Sequence, residues 1–194
     1  MTTAALVETP TLVAFKEWAL VCAALERGET SLILRKGGIA EGRAGFRFKH
    51  SDFFLFPTFF HEQLERTRLN PDTPVPSPEP GTITITARAT VEWTELVTDP
   101  ATLEKLTPLH ILQSSVVDER FHYGKESEIP AINVAFLRVW KLKDPWRFPD
   151  APKYGGCRSW IDLPELPADF GESPVLTDEE HARRAATLKE LLSR

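Results

Sequence analysis

Thr82-Ile83-Thr84-Ile85-Thr86-Ala87-Arg88-Ala89-Thr90-Val91-Glu92-Trp93 alternates apolar or small residues with polar ones along its whole length. A β-strand points successive side chains to opposite faces. Ile83, Ile85, Ala87, Ala89, Val91 and Trp93 therefore share one face, and Thr84, Thr86, Arg88, Thr90 and Glu92 share the other. This is a half-exposed strand, and the rest of the chain must supply the cover for its apolar face.

Working outward, Ala131 to Leu142 is apolar on both faces, which predicts a central strand. Arg138 interrupts it, and a buried arginine there requires a partner. Trp18 to Leu25 is a continuous apolar run followed by the turn residues Glu26 to Thr30, after which Ser31 to Leu34 returns. This predicts a buried hairpin; alternatively, Phe15 and Trp18 belong to a short entry helix. Phe53 to Phe56 predicts a further strand, stopped by Pro57.

Between the two long strands, Asp99-Pro100 and Thr107-Pro108 each place an N-cap residue before a proline at the first helical position. In the second of these helices Leu109, Leu112 and Val116 form one stripe, with the end near His122. A last helix starts at about Asp178, with Thr177 and Glu180 in capping-box spacing. Gly37 to Gly45 reads as a glycine loop. Five prolines, at positions 71, 74, 76, 78 and 80, make 70–81 an extended surface loop. Asp144 to Pro174 reads as irregular. The fold class expected is α+β: one domain with a mixed, mostly antiparallel sheet, two inserted helices and a C-terminal helix. The expected boundaries are an N-terminal segment 1–14, the domain 15–163, and a proline-containing linker with the final helix, 164–194.

With 194 residues and 42% hydrophobic content, the chain can bury one good core. A net charge of -5 argues against a general nucleic-acid coat but leaves room for a local basic cleft. Two cysteines, Cys22 and Cys157, suit a reducing compartment. No apolar stretch approaches a membrane span, and residues 1–14 have no basic start ahead of an apolar run. The expectation is a cytoplasmic protein with no membrane partner.

Two clusters carry candidate chemistry. Arg35-Lys36-Gly37-Gly38 ends a strand, where glycines let backbone N–H groups approach an anion and the two cations add charge. The same residues also suit an exposed, solvated turn, and P-loop spacing is absent. Tyr154-Gly155-Gly156-Cys157-Arg158-Ser159-Trp160 resembles a binding loop, with Arg158 for an anion and Trp160 or Tyr154 for stacking on a base. Cys157 would act as a nucleophile only with a histidine beside it, and is otherwise a small side chain.

His61-Glu62-Gln63-Leu64-Glu65 narrowly misses a zinc-protease helix, because Glu65 stands where a second histidine is needed. No metal site is expected, and no cofactor is assigned. Arg120 and His122 suit the negative end of their helix, or face the same cleft as Arg35. The order of elements from Trp18 to Glu65 is similar to the start of a Nudix hydrolase. The Gly-x5-Glu-x7-Arg-Glu-x-x-Glu-Glu box is absent, so that metal-dependent chemistry has no carrier.

Taken in order, Leu34-Arg35-Lys36-Gly37-Gly38-Ile39, Phe54-Leu55-Phe56-Pro57-Thr58 with His61-Glu62-Gln63, Leu137-Arg138-Val139-Trp140 and Gly156-Cys157-Arg158-Ser159-Trp160 resemble the bacterial domain-of-unknown-function family 1802. The resemblance covers Phe15 to Leu163. It implies a stand-alone prokaryotic cytoplasmic protein, with no catalytic residue to carry over.

The function expected from the residues is binding of a phosphate-bearing ligand, nucleic acid or nucleotide. Its lining would be Arg35, Lys36, Gly37, Gly38, His50, His61, Tyr154, Arg158 and Trp160. The alternatives are a phosphodiesterase or nuclease with His61 as general acid or base oriented by Glu62, and a protein-interaction module using the proline loop as an extended ligand.

Overall fold

The computed structural model describes residues 12–35, 48–123 and 129–192. Its strands are β1 (Val13–Trp18), β2 (Leu32–Arg35), β3 (Asp52–Thr58), β4 (Thr82–Val97), β5 (Ile132–Pro149), β6 (Trp160–Asp162) and β7 (Glu172–Pro174). The helices are α1 (Ala19–Glu26), α2 (Pro100–Lys105), α3 (Ser114–His122) and α4 (Asp178–Leu192). All seven strands form one mixed sheet in the order β2-β5-β4-β3-β1-β6, with β7 also on β5. β1 and β3 run parallel and the other pairs are antiparallel, so the chain is an α+β domain of the expected class.

The alternating stretch opens β4, which pairs with β5 along nearly its whole length. A bulge lies between Ile85 and Ala87, where β5 accommodates Leu142 to Pro145 opposite the single residue Thr86. The three extra residues belong to β5, which bends there. Ala87 and Ala89 enter one hydrophobic cluster with Phe15, Phe53, Leu55 and Phe136. Ile85 enters the other, with Phe54, Phe56, Trp146 and Phe148. The stretch 144–149 is therefore strand, not irregular chain: the Asp144-Pro145 break sits in the bulge and pairing resumes at Trp146.

Trp18 to Leu25 is not a strand of a hairpin. Trp18 ends β1 and Ala19 starts α1, and the returning strand β2 pairs with β5 instead. Alanines at 19, 23 and 24 favour helix. All of α1 except Ala23 and Glu26 is buried, so it carries no polar face to show a helical period. The long helix expected from Thr107 is divided. Thr107–Leu109 is a 3-10 turn, the chain then extends through buried His110, and α3 begins at Ser114. The expected Asp99 cap forms, accepting from the N–H groups of Ala101 and Thr102, whereas Thr107 is itself the first residue of its 3-10 turn and makes no capping bond. Thr177 and Glu180 bond reciprocally, at 3.2 Å in each direction. Arg138 finds its partner in Asp178 at the start of α4, at 2.6 Å.

Pro57 does not stop β3, which continues to Thr58 in register with β1. The carbonyl of Ser51 accepts from Val91 N–H at 2.7 Å, so Ser51 faces β4. By alternation the backbones of Phe53, Leu55 and Pro57 face the same way. The β3–β4 ladder, however, ends at Phe54–Arg88. Pro57 thus turns its missing N–H toward an edge that has no partner strand.

Candidate functional site

Beyond Phe54 and Arg88 the two strands separate, and the opening between them is a groove of about 1050 Å³. Leu55 to Phe59 form one wall and Thr82, Ile83, Thr84 and Thr86 the other. Ala19, Cys22, Ala23 and Glu26 of α1 line it from one side. Pro76 to Gly81 and the segment from Asp150 to Gly155 complete it. The proline loop is therefore part of a concave site, and its rigid extended backbone supplies a wall with few donors.

Lys16 lines this groove and is only 9% exposed. Its Nζ donates to the Gly156 carbonyl at 3.1 Å and stands 5.7 Å from the Phe56 ring centroid. An ammonium has three donors, and among the described residues one is used. Burial lowers the Lys16 pKa, and the nearby Arg158 guanidinium lowers it further. Tyr154 is buried in the adjoining wall, 6.1 Å from Phe56 between ring centroids, with Lys153 over its ring at 4.9 Å. Arg158 is exposed and donates to the Lys153 carbonyl at 3.1 Å. Of the groove's lining residues, Lys16 and Asp150 stand close together, and the guanidinium of Arg158 acts on Lys16 from outside the groove.

Arg35 and Trp160 meet elsewhere. Arg35 donates from Nη2 to Ser159 Oγ at 3.0 Å and covers the Phe15 ring at 5.4 Å. Its Nη1 is 3.9 Å from Glu17 Oε2, while Arg120 Nη2 is 3.6 Å from Glu17 Oε1. Arg120 also donates to the Leu34 carbonyl and covers Trp18 at 4.8 Å; burial holds its pKa below the usual value. Trp160 packs against Phe15 at 4.9 Å and Phe53 at 5.2 Å, with His50 at 4.9 Å. The two sequence clusters do come together through Arg35, His50, Ser159 and Trp160. They do so as an ion and aromatic cluster whose charges and ring faces are largely engaged by the protein, while Tyr154 lines the groove and Arg158 lies near Lys16. Lys36, Gly37 and Gly38 lie outside the described residues.

Residues 14–187 match the family model for a domain of unknown function, DUF1802. The chain belongs to the DUF1802 family. The match extends into α4, beyond the Leu163 limit of the sequence resemblance. No curated protein is significantly similar to this DUF1802 chain. Two solved structures are similar in outline. A Zymomonas mobilis ASCH protein shares 11% identity over 92% of this chain and 95% of its own, with a TM-score of 0.45. A serine-to-alanine mutant of Zymomonas mobilis ASCH shares 9% identity over 92% and 96%, with a TM-score of 0.47.

In the DUF1802 chain, His61 and Glu62 are exposed on the 3-10 turn His61–Gln63, with no hydrogen bond between their side chains. The residue of that turn that the fold uses is Gln63. It accepts from Leu20 N–H at 3.1 Å and donates to the Thr58 carbonyl at 2.7 Å, fixing the start of α1. Burial pushes the Cys22 thiol well above its ordinary pKa, while Cys157 is exposed. Among the described residues, no group of three His, Cys, Asp or Glu side chains is placed to hold a metal ion. Nor is any described helix long and apolar enough to cross a membrane. Lys16 was not legible as a site residue. A single lysine in Phe15-Lys16-Glu17-Trp18 has no spacing signal, and its depth comes from the separation of two strands distant in sequence.

Proposed function

We propose that this DUF1802 protein binds a phosphate-bearing ligand, nucleotide or nucleic acid, in the groove between β3 and β4. The observation that carries this is Lys16, whose side chain lines a largely apolar groove and whose ammonium makes one hydrogen bond among the described residues. A cation in such surroundings gains strongly from an anionic partner, because little water competes. Arg158 strengthens the positive potential beside Lys16, in a chain that is acidic overall. Phe59, which is exposed, and the prolines at 76, 78 and 80 offer apolar surface for a base.

The test is calorimetric titration of the full chain with nucleotides and with single-stranded oligonucleotides at low and moderate salt, beside a Lys16→Met, Arg158→Ala double variant. Binding that weakens with salt and falls at least about tenfold in the folded variant supports the site. Equal binding by the variant places the ligand elsewhere, and no binding at all removes the phosphate reading.

A further inference from the structure

His110 lies where the chain extends between the 3-10 turn Thr107–Leu109 and α3, and its ring is buried. Nδ1 accepts from the Leu112 N–H at 3.1 Å, which leaves the proton of the neutral ring on Nε2. Burial, with Arg68 and Arg120 nearby, lowers the pKa to about 4, so the ring is neutral at neutral pH. Nε2–H is therefore a buried donor, and among the described residues nothing accepts from it. Glu17 presents the complementary case. Its Oε1 accepts from the Trp18 N–H at 2.8 Å. Its Oε2 is buried, accepts no hydrogen bond among the described residues, and stands 3.9 Å from Arg35 Nη1.

Both residues border one internal cavity of about 10 Å³. Thr30 and Arg120 are its other polar neighbours, and the rest of the lining is aliphatic. The Thr30 hydroxyl is already committed, donating to the Leu109 carbonyl at 2.8 Å and accepting from the Leu32 N–H at 3.0 Å. Arg120 has no acceptor to offer the imidazole proton. Buried polar groups left unpaired are costly, and native proteins satisfy nearly all of them with protein partners or ordered water. One water needs a cavity of about 10–15 Å³ and two to four polar partners. It accepts and donates at once, which is what an N–H on one wall and a carboxylate oxygen on another require.

We propose that this cavity binds a single ordered water, which accepts from His110 Nε2–H and donates to Glu17 Oε2. The water ties the segment before α3 to β1 and makes His110 a member of the Glu17, Arg35 and Arg120 cluster. The volume leaves no room for a larger ligand. The cavity shares no lining residue with the groove between β3 and β4, so the site stands whether or not a phosphate binds there.

Two measurements on the unmodified full chain test this. A high-resolution crystal structure should show one solvent peak within about 3.2 Å of both His110 Nε2 and Glu17 Oε2. In solution, with nitrogen-labelled histidine, the His110 proton should sit on Nε2. That proton should also give a rotating-frame Overhauser cross-peak at the water frequency, opposite in sign to chemical exchange. A peak bonded to only one of the two side chains overturns the proposal, as does a direct bond between Nε2 and Oε2. So does a proton on Nδ1, or an Nε2 proton with no water contact.

Discussion

Lys16 and Glu17 are consecutive in β1 and face opposite sides of the sheet: the ammonium of Lys16 lines the open groove, and the carboxylate of Glu17 lies between Arg35 and Arg120. The alternation of a β-strand makes this possible. One side chain is committed to a concave surface and the next to holding β1, β2 and α3 together. A lysine and a glutamate side by side in sequence would normally be taken as a solvated pair. Here both are nearly buried and they serve separate environments.

Glu17 is 1% exposed, and its removal leaves two guanidinium groups facing each other in a poorly hydrated site. Breaking a buried ion cluster from one side costs about 3–5 kcal/mol, because the partners stay charged and lose their compensation. The contacts here are 3.6 and 3.9 Å, long for ion pairs, which favours the lower end of that range. Glu17→Ala is expected to lower the unfolding free energy by about 3 kcal/mol in urea titration. A loss below about 1 kcal/mol would show that the cluster is held by its hydrogen bonds to Ser159 and Leu34 instead.

Lys16→Met should behave in the opposite sense. Methionine keeps the long unbranched stem against Phe56 and removes an ammonium whose burial disfavours its charge. Thermal unfolding of this variant is expected to match or exceed the parent, so that any loss of ligand affinity reflects the missing charge and not a damaged groove. A marked drop in melting temperature would assign Lys16 a structural role through Gly156.

What could be read from the sequence follows from how local each signal is. β4 was legible because its period of two needs only neighbours, and the caps at Asp99 and Thr177 because they span three residues. α1 was misread because helix and strand lose their distinguishing periods when every face is covered. The pairing of Arg35 with Ser159 joins two stretches that were both recognised as unusual. The sequence does not show Glu17 supplying the counter-charge to Arg35. The groove depends on where the β3–β4 ladder stops, a relation between residues some 30 positions apart that leaves no mark on either strand except Pro57.

Gly28 and Gly81 both have φ of +70°, and they separate backbone strain from packing. At Gly28 a Cβ would lie 2.9 Å from Leu176 Cδ2 and 3.2 Å from Val175 Cγ1, while at Gly81 it would meet nothing within 4 Å. Gly81→Ala is expected to cost about 1 kcal/mol from the left-handed backbone alone. Gly28→Ala should cost more, since the ends of the Leu176 and Val175 side chains have to shift as well. Denaturant midpoints of the two variants check this directly. Equal shifts would mean that Val175 and Leu176 yield without cost.

His110 makes stability depend on pH. Burial lowers its pKa from 6.5 to about 4, with Arg68 and Arg120 adding to the effect. The ring is 5% exposed, and its Nδ1 accepts from Leu112 N–H at 3.1 Å, a bond that requires the proton to be absent from that nitrogen. Between about pH 6.5 and pH 4 the unfolded chain binds a proton that the folded chain does not. The stability contributed by neutral His110 is therefore full above pH 6.5, declines as pH falls through this window, and is lost below about pH 4. The size expected is about 3 kcal/mol. Urea unfolding at neutral pH and near pH 4.5, compared with His110→Asn, measures it, since asparagine retains an acceptor for Leu112 but cannot take up the proton. The parent should lose more stability on acidification than the variant. Identical losses would show that carboxylates elsewhere dominate the acid limb and that His110 is free to ionise in place.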